Sequence, residues 1–196
     1  MNKKKILVLA VAVCLVAMLA LGGTLAYFTD TDAKTNTFTV GNVDITLTEP
    51  NWEGTGSADA PEVYPGEPLA KDPTVKNDGA NPCFVRIKVE GLDCLGNAGM
   101  ITYRTDYVTG KLGDNWVKPS DGYFYYNKVL EVGATTDALF DQIVIPTGLE
   151  NGDAETEFNV VVTAEAVQAQ GARASWAAVQ TMTVEDIAAW FGTCGL

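Results

Sequence analysis

From residue 36 onward the chain is written in a period of two, which limits it to strands with one dry face and one wet face. In residues 83–90, Val85, Ile87 and Val89 alternate with Arg86, Lys88 and Glu90. Residues 42–49 set Val43, Ile45 and Leu47 against Asp44, Thr46 and Thr48. Residues 156–166 place Phe158, Val160, Val162 and Ala164 on one face. Shorter candidates occupy 100–107, 122–130 and 139–146. Turn chemistry separates them at Pro65-Gly66, Asn77-Asp78-Gly79, Gly91, Gly113-Asp114-Asn115, Asp121-Gly122 and Asn151-Gly152-Asp153. Many short strands at this spacing predict an all-β sandwich or barrel.

Two stretches depart from the pattern. Residues 49–71 are rich in Pro, Gly and acid without a sustained period, and read as a surface loop. Residues 172–191 are Ala-rich and read as helix. Thr183 with Asp186 three residues on is an N-terminal cap, Ile187, Trp190 and Phe191 share one face, and Gly192 is the expected stop. The chain shows no internal repeat, no LPxTG-like sorting motif and no C-terminal membrane anchor.

The N-terminus decides destination. Lys3, Lys4 and Lys5 precede an uncharged apolar run at 6–21, followed by Gly22-Gly23-Thr24-Leu25-Ala26. Small residues at Thr24 and Ala26 suit a signal peptidase, so cleavage is expected before Tyr27. The competing reading is an uncleaved anchor, because residues 6–26 reach the roughly 20 residues a spanning helix needs. The helix-breaking Gly22-Gly23 pair favours cleavage. Cys14 follows Val13 rather than a small residue and sits in mid-run, so it is no lipidation site.

Removing residues 1–26 takes three of the 13 basic residues and none of the 25 acids, so ten bases face 25 acids, a net charge of −15. Such a surface repels phosphate backbones and anionic lipid. Histidine is absent, which excludes Ser-His-Asp and Cys-His catalysis, His-ligated zinc and a histidine pH switch. The three serines, Ser57, Ser120 and Ser175, lie in no nucleophile motif. Asp30-Thr31-Asp32 and the Asn77-Asp78-Gly79 turn raise calcium as the one cofactor to consider, but Lys34 and Thr35 break an EF-hand loop. Carboxylate pairs for a hydrolase meet only in the fold and cannot be read from 25 acids. Tyr123-Phe124-Tyr125-Tyr126 reads either as a glycan-stacking platform or as a strand whose rings pack a core and a neighbour. Of the cysteines that survive export, Cys83 and Cys94 bracket a strand and its turn and are a candidate disulfide, leaving Cys194 unpaired or intermolecular. Three small buried hydrophobes are the other reading.

The stretch Gly22–Ile45, with Ala26, Tyr27-Phe28 and Gly41-Asn42-Val43-Asp44-Ile45, resembles the export segment and mature start of the TasA/camelysin family of Gram-positive secreted proteins. Residues 64–90 are similar to the family's Pro-Gly turn, Val-x-Asn-x-Gly segment and Val-Arg-x-x-Val strand, and residues 121–146 with 164–171 resemble a subgroup. The resemblance implies a jelly-roll-like antiparallel β-sandwich, cut by a SipW-type signal peptidase and assembled as filaments or surface layers in the biofilm matrix. It also implies a cleaved N-terminal segment passed to the next subunit. The family's metalloprotease label finds no zinc site in a chain without histidine.

The organisation expected is a signal peptide at 1–26, a donor segment and first strand at 27–48, a β-sandwich domain at 49–171 and a short C-terminal helical segment at 172–196. The expected role is a non-enzymatic, secreted structural subunit of the extracellular matrix or cell surface. Its partners would be copies of itself, a SipW-type signal peptidase and other matrix proteins, with no nucleic acid and membrane contact only through the signal peptide. The alternatives are a monomeric glycan- or protein-binding module, with rings at Tyr123–Tyr126 or Trp52 and Trp116, and a carboxylate hydrolase.

Overall fold

The computed structural model describes residues 42–59, 63–96, 99–105, 108–109, 112–150 and 157–196, which all lie in one compact unit, Val40–Leu196. The expectations for the signal peptide, for Thr24, Ala26 and Tyr27, for the released segment up to Val40 and for Asp30–Thr35 fall outside them.

The chain folds as an all-β protein whose strand pairs among the described residues are antiparallel. β1 (Ile45–Thr48) pairs with β3 (Thr74–Asn77). A second sheet runs β2-β9-β5-β6, with β2 at Pro68–Ala70, β5 at Thr102–Thr105, β6 at Val108–Thr109 and β9 at Gln142–Val144. A third runs β10-β4-β8-β7, with β4 at Cys83–Glu90, β7 at Trp116–Val117, β8 at Phe124–Tyr126 and β10 at Val161–Gln168. The first two are joined by one stretch of chain. Asn77 N–H donates to Ala134 O, Thr136 N–H to Val75 O and Leu139 N–H to Pro73 O before that stretch enters β9.

The main core draws from all three sheets: Val75, Val85, Ile87, Phe124, Leu139, Phe140, Ile143 and Ile145 are buried together. Each such side chain contributes about 1.5–3 kcal/mol by leaving water. The predicted inward sets behave as expected, since Val43, Ile45 and Leu47 of one strand and Phe158, Val160, Val162 and Ala164 of another pack on this core.

A second core lies on the far face of the β4 sheet. Phe84, Tyr125 and Val167 meet Val179, Met182, Ile187 and Phe191 there. The last four come from the C-terminal segment, where α2 (Trp176–Val179) and α3 (Val184–Thr193) form. Thr183 Oγ1 accepts from Asp186 N–H at 3.2 Å and Asp186 Oδ2 accepts from Thr183 N–H at 3.3 Å, which closes the expected capping box. The expected stop at Gly192 is corrected. The helix runs through it to Thr193, and the left-handed residue that ends it is Gly195, φ 87°.

The loop expected at 49–71 is corrected as well. It contains a π-helical turn at Trp52–Gly56, a short helix α1 at Ser57–Asp59 and the strand β2. Gly56 makes this turn fit, because a Cβ there would lie 2.1 Å from Ala70 O. Asn51 N–H donates to Asp72 Oδ1 at 2.8 Å, and the buried Lys71 Nζ bonds Glu49 Oε2 at 2.7 Å.

Candidate functional site: an open edge

In an antiparallel ladder the N–H and C=O of a residue point to the same side, and successive residues alternate. Ala169 N–H donates to Pro82 O at 3.0 Å, so the odd residues of β10 face β4. Cys83 exchanges both its bonds with Leu130, and its register partner Gln168 therefore faces away. The main-chain groups of Val162, Ala164 and Ala166 point outward, and among the described residues no strand pairs with that side. β1 has the same construction. Asp78 N–H bonds Asp44 O at 2.9 Å and Ala80 N–H bonds Asn42 O at 3.3 Å, which leaves Val43, Ile45 and Leu47 facing outward.

Side chains alternate in step with the main chain, so the residues with outward backbones are those whose side chains line the core. All six are only partly buried, whereas Val75, Val85 and Ile87 one strand further in are fully covered. β1 and β10 touch each other without pairing. Among the described residues, one side of the fold therefore combines two free ladders with a half-covered aliphatic row. That is the chemistry of a strand acceptor, with hydrogen bonds for affinity and alternate side chains for register.

The opposite face of β10 is exposed at Val161 and Thr163 and covered from Glu165 onward. Glu165 Oε2 lies 2.6 Å from Arg86 Nη2, and Arg86, 6 % exposed, donates to Tyr125 Oη at 3.2 Å. Its guanidinium stacks 3.8 Å from the Tyr123 ring centre and 4.5 Å from that of Phe191. Tyr125 Oη donates in turn to Asp121 Oδ2 at 2.8 Å. Burial works against the charge on Arg86, yet the bonds to Tyr125 and Glu165 outweigh it and raise its pKa. The alternation of β4 assigns Arg86 to solvent. Phe84 on the same face was the signal that something covers it.

The aromatic strand is not a platform. Phe124 and Tyr126 point into the main core and Tyr125 into the second, and Trp116 is buried with its indole N–H on Asp137 O at 2.9 Å. Trp52 is half-buried beneath Lys71 Nζ, 4.8 Å away. The disulfide expected between Cys83 and Cys94 is also corrected: Cys83 is a buried free thiol, Cys94 and Cys194 exposed ones. Cys83 opens β4 and Cys94 follows its other end, so about 23 Å of extended strand intervenes. A disulfide tolerates a Cα separation of no more than about 7 Å. In the Asn77-Asp78-Gly79 turn, Asn77 Nδ2 bonds Asn81 O and Leu130 O, Asn77 Oδ1 accepts Gly79 N–H, and Asp78 pairs with Lys76.

Residues 1–88 match the model of the camelysin metallo-endopeptidase family. That stretch is less than half of the 196-residue chain, and over it the sequence is similar to the camelysin family. The camelysin match takes in β1, β2 and β3 and ends inside β4, so it includes one free edge and stops short of β10. A search of curated proteins gave no match. The residues present do not fit the metal that the family description implies. The chain has no histidine, and among the described residues no three Cys, Asp or Glu side chains converge as ligands. Several of the acids are engaged instead with Lys71, Lys76, Arg86, Lys88 and Arg173.

Proposed function

We propose that this chain is a secreted structural protein that builds extracellular filaments or surface layers of a biofilm matrix by strand addition. The observation that carries the reading is the open edge, where two free ladders flank aliphatic side chains that the chain's described residues leave half covered. Cleavage before Tyr27 by a SipW-type signal peptidase releases Tyr27–Val40, a Thr-rich segment of good β propensity, and a copy of this segment completes the edge of the next subunit. Before the cut the membrane tether holds the segment back, so proteolysis switches assembly on. The partner is a second copy, with other matrix proteins joining at the surface, and neither a catalytic role nor a cofactor is assigned. The net charge of −15 after cleavage leaves nucleic acid a poor partner.

The test is negative-stain electron microscopy of the secreted protein with its N-terminus sequenced. Filaments built from chains that begin at Tyr27 are expected, and deletion of residues 27–35 is expected to abolish them. A deleted chain that still polymerises would sink the proposal. A monomeric binding module is the weaker reading, because the rings it would use at Phe124, Tyr125, Tyr126 and Trp116 are buried.

A further inference from the structure

The free ladder of β10 does not run to the end of the strand. Gln168 is the next outward-facing residue after Ala166, and its carbonyl is already occupied: Trp190 Nε1 of α3 donates to Gln168 O at 2.9 Å. Trp190 is held there by its helix, whose Ile187 and Phe191 are buried in the second core. The open ladder is thereby reduced to Val162, Ala164 and Ala166, a run of about 13 Å.

We infer that Trp190 is a register stop for the strand that a second copy adds to β10. The inference rests on the strand-addition reading and adds to it the residue that sets where the incoming strand ends. A bare edge accepts a strand in several registers. A slip by one residue exchanges the two faces of the incoming strand, putting Thr37 and Thr39 where Phe38 and Val40 would meet the core, but a slip by two keeps every face and is rejected only by something at the ladder's end. The indole N–H supplies that rejection. A strand sliding past Ala166 toward Gln168 meets a carbonyl whose hydrogen bond is taken and an indole ring in its path. The occupant is the Tyr27–Val40 stretch of a second copy. It leads directly into β1, which lies against β10, and its fourteen residues span at most about 50 Å when extended, enough to cross to a neighbour and cover the ladder.

The experiment has two arms on the full secreted protein. In the first, residue-resolved hydrogen exchange compares wild-type monomer with wild-type polymer. Val162, Ala164 and Ala166 amides are expected to slow roughly tenfold or more on assembly, while the Trp190 indole N–H keeps its monomer protection. In the second, a photo-cross-linking residue at Thr35 maps the register in wild type and in Trp190→Phe, which keeps a ring in the core and loses the N–H. One cross-linked position on β10 is expected for wild type, and two or more, spaced by two residues, for Trp190→Phe. Polymers of both chains with the same single position would overturn the role of Trp190 and leave strand addition standing. Loss of the Trp190 indole protection on assembly would also overturn it, without need of a variant. Polymers with no new protection at Val162, Ala164 and Ala166 would overturn strand addition at this edge and the inference with it.

Discussion

Arg86 occupies a strand face that alternation gives to water, yet the C-terminal helix closes over it and leaves four partners around the guanidinium: Glu165, Tyr125, Tyr123 and Phe191. Removing the charge strands Glu165 in a half-buried site, so Arg86→Ala is expected to cost about 3 kcal/mol, at the low end for a broken buried pair. Arg86→Lys keeps the charge but loses the fork and the stack, and should cost roughly 1–2 kcal/mol. Equilibrium unfolding in urea measures both. Two other buried groups make the fold sensitive to alkali. Burial pushes the Cys83 thiol from 9.0 up to about 12. Burial, helped by Asp137, pushes the Tyr126 phenol from 10.0 up to about 12. Each binds its proton more tightly folded than unfolded, so its contribution is complete below the unfolded pKa and is lost as pH rises through the folded one. The thermal midpoint should hold to pH 9 and fall between pH 9 and 12, and Cys83→Ala should delay the onset toward pH 10.

Elements were legible wherever the information was local. The inward sets of β1, β4 and β10 follow from period-two spacing, and the start of α3 follows from Thr183 and Asp186 alone. Thr183→Ala should therefore destabilise the protein by about 1 kcal/mol in the same unfolding assay, mostly through the helix that covers Arg86. What escaped the sequence depends on chain that returns from far away. β2 and the turn at Trp52–Gly56 form because Gly56 nests against Ala70 and Lys71 bridges Glu49, contacts that no periodicity announces. Cys83 and Cys94 are near neighbours in sequence, and only the full extension of β4 shows that they cannot meet. Alternation likewise reveals which face of a strand is dry but not which strand lacks a neighbour, so the open edges of β1 and β10 became visible only with the sheet order.

For the molecule as a whole, charge opposes the proposed assembly that the edge favours. Subunits of net charge −15 after cleavage repel one another, and salt screens that repulsion. Raising sodium chloride from about 0.01 M to about 0.15 M shortens the screening length from roughly 30 Å to roughly 8 Å. Polymerisation followed by light scattering should speed up over that range and then level off, since the ladder bonds are uncharged. The second core has a further consequence for what such a polymer would look like. With α2 and α3 laid over the outer face of the β4 sheet, that face is closed to a flat sheet from another molecule. Growth through the open edge leaves the helices on the outside and blocks lamination over the part of the sheet they cover. Aligned fibres should then diffract at the inter-strand spacing, since each added strand continues the ladder of the edge it joins. A coat only one molecule thick at each link could bend with the surface beneath it, a mechanical property owed to two short helices at the end of the chain.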